Sequence, residues 1–125
     1  MNTAARGIAL AGVLLALSAV VLAAVGSHAV DLHEQPGLQK IWDTASVIHL
    51  FQAAALIGLA ALLAIRNSPL LKWGAWSIVA GTVIFSGSLY LRVITGNPIS
   101  GVTPAGGLVM MAGWGLVVLA LLRKS

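Results

Sequence analysis

An all-α, integral membrane four-helix bundle is the fold class this sequence predicts, and two observations predict it. Four apolar stretches, residues 7–30, 44–65, 73–94 and 105–122, fill most of the 125-residue chain. Each can cross a hydrocarbon core about 30 Å thick, which takes roughly 20 helical residues. Composition points the same way: 59% of residues are hydrophobic and only 8% charged, against about 25% charged in ordinary soluble chains. In lipid a helix satisfies its own backbone, and short of a closed barrel no other spanning element does. Connections as short as residues 66–72 and 95–104 leave no room for a soluble domain, so residues 1–125 read as one transmembrane domain.

The first stretch follows Arg6 and ends near Ser27-His28-Ala29, a pattern that mimics a secretory signal with a small-residue cleavage site. Its apolar run exceeds the roughly 7 to 15 residues of a signal core, so it is expected to be a permanent span. Gly12, Ala16, Ala19, Ala23 and Gly26 recur at spacings that keep them on one stripe. Gly74, Ser77, Gly81 and Ser88 do the same on the third stretch, as do Gly106 and Gly113 on the fourth. Association in lipid depends on close packing and interhelical hydrogen bonds, so these stripes are expected to be the seams of the bundle, with seams for another subunit as the alternative.

The longest polar segment, residues 31–43, connects the first two spans, and Gln35-Pro36 reads as a helix cap followed by a first-turn proline. A second helix starting there would set Leu38, Ile41 and Trp42 at the interface, Trp42 at headgroup depth. Trp73 and Trp76 are expected to anchor the third helix at the opposite interface. Residues 101–107 read as a turn into the fourth helix, with Thr103 as cap and Pro104 in the first helical position.

Lysines and arginines orient the bundle. With both termini in the cytoplasm, Arg6, Arg66, Lys72, Arg123 and Lys124 lie inside and only Lys40 and Arg92 lie outside, as the positive-inside rule prefers. The net charge of +4 does not signal nucleic-acid binding, because the basic residues are scattered at helix ends rather than gathered on one face.

Several chemistries are missing. Without cysteine there are no disulfides, thiol nucleophiles or cysteine metal sites. No hydroxyl has a histidine and an acid at recognisable spacing, no glycine-rich phosphate loop occurs, and no carboxylate lies at mid-span as proton-coupled export would need.

The polar residues in or near the spans are the candidate site: His28, Asp43, His49, Gln52, Ser86, Ser88, Tyr90 and Arg92. His49 and Gln52 are three apart and so near neighbours on a helix surface. In the proposed orientation all of these fall in the outer half of the membrane, where an ionisable group usually points inward to a partner. Arg92 cannot lose its charge, and its plausible partner is Asp43; snorkelling to the outer headgroups is the alternative. Metal ligation by His28 or His49, with Asp31, His33 and Glu34 near in sequence, matches no metal motif. A bis-histidine haem is disfavoured because, at about 1.5 Å per residue, His49 lies some 9 Å below Asp43 and His28 only about 3 Å below Val30. The residues call for no metal and no cofactor.

Gly26-Ser27-His28, Trp42 with Ala45, Phe85-Ser86-Gly87-Ser88-Leu89-Tyr90, Thr103-Pro104-Ala105-Gly106-Gly107 and Ala112-Gly113-Trp114 together resemble the YgdD-like family. The resemblance runs through the whole chain in order. It implies four helices in the bacterial inner membrane and no known reaction. The family pattern on the second helix commonly ends in histidine where this sequence has Gln52; His49 comes three residues earlier.

Two classes of function follow. The first is a non-enzymatic accessory or assembly subunit in the lipid bilayer, associating with itself or with a larger membrane complex. The second is a small transport or ligand-binding protein with a polar pocket in the outer half of the membrane.

Overall fold

The computed structural model describes residues 1–28, 32, 34–97 and 101–123, and among them every regular element is a helix: α1 Thr3–His28, α2 Pro36–Ile65, α3 Pro69–Thr95 and α4 Val102–Leu122. All four are long and apolar enough to cross a membrane. Val30, Asp31, His33 and Lys124, which bear on the first span's end, the metal reading and the charge balance, lie outside the described residues.

Each helix begins at a recognisable device. Asn2 precedes α1 and its Oδ1 accepts from the Ala5 N–H at 2.7 Å, satisfying one donor that the first turn leaves open. Pro36 opens α2 and Pro69 opens α3, where Ser68 accepts from Leu71 N at 3.3 Å. Proline suits these positions because its missing N–H would have had no partner there. Gln35 occupies the cap position of α2 but makes no side-chain cap bond. At 30 residues, α2 is about 45 Å long, so its first turns project beyond the hydrocarbon.

The start of α4 differs from the sequence expectation. Gly101, at φ 80°, holds the cap position and the helix begins at Val102, which places Pro104 third. The first turn tolerates it because those N–H groups have no intrahelical partner. Thr103 turns its hydroxyl to Ser88 Oγ on α3, 2.5 Å away, instead of capping. At the far end of α3, Gly96 at φ 76° closes the helix by donating to Arg92 O at 2.9 Å, the left-handed stop that glycine adopts without strain.

Packing follows chain order: α1 lies along α2, α2 along α3 and α3 along α4, with a short approach of α1 to α3. Among the described residues α1 and α4 do not pack together. The α3–α4 seam is built on glycine. A Cβ on Gly74 would stand 2.8 Å from Gly113 O, and one on Gly106 would stand 2.5 Å from Phe85 N, so the two backbones nearly touch. On α1 the seam toward α2 uses Gly12, Ala19 and Gly26, whereas Ala16 is half-buried and Ala23 exposed.

Two apolar clusters fill the interior. Ile8, Leu56, Leu63, Leu71, Ile78 and Val117 pack near the termini. Leu32, Trp42, Ala45, Leu89, Tyr90 and Val93 pack at the opposite end. Trp42 is therefore a core residue, 2% exposed, and not an interfacial anchor. Trp73 is 59% exposed, with the Lys72 ammonium 5.3 Å from its ring centroid.

Near the termini, side chains tie the helix ends together. Asn2 Nδ2 donates to Leu63 O at 3.2 Å. Arg66 Nη2 donates to Ala120 O at 2.8 Å and also to Arg123 O, filling carbonyls that the end of α4 leaves open and placing positive charge at its negative pole. The N-terminus, the α2–α3 turn and the end of α4 thus share one end of the bundle.

Candidate functional site

A chain of hydrogen bonds crosses the bundle through His49, which is 5% exposed. Its Nε2 lies 3.0 Å from Ser18 Oγ on α1 and its Nδ1 lies 3.0 Å from the Tyr90 hydroxyl on α3. Ser18 Oγ is 3.0 Å from Leu15 O, and the Tyr90 hydroxyl is 3.4 Å from Ser46 Oγ. Two proton orders satisfy the chain. In one, Ser18 donates to Leu15 O, Nε2–H donates to Ser18, and Tyr90 donates to Nδ1. In the other, Tyr90 donates to Ser46, Nδ1–H donates to Tyr90, and Ser18 turns its proton to Nε2. Both use a neutral imidazole, which offers one donor and one acceptor.

Trp42 extends the site toward the apolar cluster. Its ring meets that of Tyr90 edge-on, with centroids 4.8 Å apart, and its Nε1 donates to Leu22 O at 3.1 Å. The ring of Tyr90 is thereby wedged between Trp42 and His49. A cavity of about 200 Å³ opens beside this chain between α1 and α3, with His49 and Tyr90 at its floor. The larger depression of about 480 Å³ lies along the first turns of α2 and is lined by that helix alone, away from the network.

The eight candidate residues separate into three groups. His49, Tyr90 and Ser86 line the α1–α3 cavity, and Ser86 Oγ donates to Ala45 O at 3.0 Å, tying α3 to α2. Gln52 and Ser88 point elsewhere, toward α4. Gln52 Oε1 accepts from Trp114 Nε1 at 2.9 Å, and Ser88 Oγ donates to Phe85 O at 2.8 Å beside Thr103. His28, Asp43 and Arg92 are exposed near helix ends. The Asp43 carboxylate accepts from Gln39 Nε2 at 2.9 Å, and among the described residues it forms no ion pair with Arg92.

Ser18 and Ser46 belong to these networks and lie outside the sequence candidates, and Trp114, named above only for the family resemblance, joins them through Gln52. A signal for Ser18 existed: it is the one polar side chain between Arg6 and Ser27. Among the described residues no group of three or more histidine and acidic side chains is placed to hold a metal. What the arrangement does chemically is link α1, α2 and α3 through neutral groups inside the membrane.

The family model described as a protein of unknown function (DUF423) matches residues 22–107. The chain belongs to this family. That match runs from the last turns of α1 into α4, and so takes in Trp42, His49, Gln52, Ser86 and Tyr90. Relatives match most of its length. The chain is 33% identical to the UPF0382 membrane protein YwdK of Bacillus subtilis, over 90% of this chain and 93% of that one. It is 31% identical to the UPF0382 membrane protein SAB0533 of Staphylococcus aureus, over 87% and 89%. With the UPF0382 inner membrane protein YgdD of Escherichia coli K12 it shares 32% identity, over 83% of this chain and 80% of that one. No solved structure matches the chain. Four spanning helices and these relatives make it a multi-pass inner-membrane protein of the YgdD-like kind.

Proposed function

We propose that this DUF423 protein is a non-enzymatic accessory or assembly subunit of the inner membrane, oriented with both termini in the cytoplasm. One observation carries the reading: the polar side chains inside the spans are engaged with neighbouring helices. Both ring nitrogens of His49, the Gln52 carbonyl and the Ser86 hydroxyl have partners on another helix. A general base or nucleophile drawn from this set would first have to give up a structural bond.

Assembly is supported by what remains outside. Because α1 and α4 do not pack together, each keeps a broad apolar face, with Leu10, Leu14 and Leu17 on α1 and Leu108, Met111 and Val118 on α4 all exposed. The glycine seams are already filled by this chain's own helices, so a second copy or a larger membrane complex would associate through these side-chain-covered faces. Orientation is supported by the lysines and arginines, most of which share the end that carries the termini.

The test is cross-linking in native membranes followed by native mass spectrometry. A second copy or a defined partner chain at constant stoichiometry is the expected result. Recovery only as a monomer, with no cross-linked species, overturns the reading.

A further inference from the structure

Gly87 differs from the glycines of the seams. A Cβ added at Gly12, Gly26, Gly74, Gly81, Gly106 or Gly113 would press on atoms of a neighbouring helix, whereas one added at Gly87 would meet nothing within 4 Å. Close approach of two backbones is therefore not the reason for glycine here. Gly87 is half-buried and lines the 200 Å³ cavity between α1 and α3. Its missing side chain keeps the mouth of that cavity open.

The walls and floor define what fits. Leu15, Leu22 and Val83 give apolar walls over the His49–Tyr90 floor, and among the described residues no charged side chain lines the space. A charged head would enter without a partner, which the membrane interior penalises heavily. The volume is below the roughly 300–1,000 Å³ of pockets that enclose a whole drug-sized ligand, and it suits a small head whose tail stays in lipid.

Ser18 supplies the contact. Its hydroxyl rests on the Leu15 carbonyl of its own helix at 3.0 Å, an acceptor the helix ladder already serves, so that local bond is readily exchanged. Turned into the cavity, the same O–H donates to a ligand oxygen while Ser18 Oγ goes on accepting from His49 Nε2.

We propose that the α1–α3 cavity is a binding site, entered sideways from the bilayer, for a neutral lipid whose head presents a carbonyl oxygen to Ser18. Two kinds of membrane molecule have that chemistry: prenyl quinones, through ring carbonyls, and diacylglycerols, through ester carbonyls.

The full-length protein in phosphatidylcholine nanodiscs is titrated with radiolabelled decylubiquinone and, separately, dioctanoylglycerol. Saturable retention of at least one is expected, and whichever saturates identifies the source of the carbonyl. Gly87→Leu should weaken it at least about tenfold with an unchanged melting temperature, and Ser18→Ala about three- to tenfold, the loss of one hydrogen bond. Gly58→Leu, at an exposed glycine of α2 with nothing within 4 Å, should bind as the unsubstituted protein does. Val83→Trp narrows the same mouth from an exposed position and repeats the test should Gly87→Leu fail to fold. No saturable retention of either lipid, or undiminished retention by a folded Gly87→Leu or Val83→Trp variant, overturns the proposal.

Discussion

Trp42 fills the space where residue 26 would carry a side chain: a Cβ built on Gly26 falls within the indole, on Nε1, Cδ1 and Cε2. The ring so placed reaches Leu22 O with its N–H and Tyr90 with its edge. One glycine on α1 thus positions the aromatic pair that backs the His49 chain.

Gly26→Ala should therefore displace Trp42 at a cost of about 1–3 kcal/mol, the usual range for overpacking a core. Thermal unfolding in detergent reads the loss. The same substitution at Gly115, where nothing lies within 4 Å of an added Cβ, should leave the melting temperature unchanged.

His49→Leu removes two interhelical hydrogen bonds and leaves Ser18 and Tyr90 facing an apolar side chain. Such bonds in membranes average about 0.6 kcal/mol and reach about 1.7, so a loss of roughly 1–3 kcal/mol is expected. Unfolding in mixed micelles, compared with a Tyr90→Phe variant and the double substitution, measures the coupling. The double variant should be less destabilised than the sum of the two single ones.

Gly113→Leu should separate α3 from α4, because its side chain would begin 2.7 Å from Gly74 O and 2.9 Å from Ile78 N. Backbone cannot yield as a flexible side chain can. Cysteines paired across the seam at Thr82 and Met110, whose side chains lie 3.6 Å apart, should lose their cross-link in this variant and keep it in Gly115→Leu.

Arg66→Ala should free the end of α4, since Arg66 holds the Ala120 and Arg123 carbonyls. Hydrogen exchange is expected to quicken in the last turn of α4 and in the α2–α3 turn, and to stay unchanged at the Trp42 end of the bundle. Arg66→Lys, with one compact ammonium in place of a fork of donors, should restore part of the protection.

Spans were legible in the sequence because apolar length registers directly in composition, but helix ends were not. Hydropathy is silent on the first turns of α2, which lie outside the hydrocarbon and are marked only by Pro36. Gly101 rather than Thr103 begins α4 because the Thr103 hydroxyl is taken by Ser88 across the α3–α4 seam, a partner that sequence spacing does not show. In the site, His49 and Tyr90 stood out as polar groups in apolar spans. Gln52 was grouped with them, yet three residues turn a helix by about 300°, and on a helix with neighbours on several sides that suffices to face α4 instead of α1. Ser18 was overlooked because a serine that bonds its own helix backbone is cheap to place in lipid.

The central claim is that four helices cross the bilayer with both termini at the Arg66 end. The natural chain has no cysteine, so single introduced thiols report without background. Cysteines at Glu34 and Ser68, labelled by an impermeant maleimide from either face of sealed membranes, test it most directly. The account predicts labelling of Glu34→Cys from outside only and of Ser68→Cys from the cytoplasmic face only; labelling of both from the same face would contradict it.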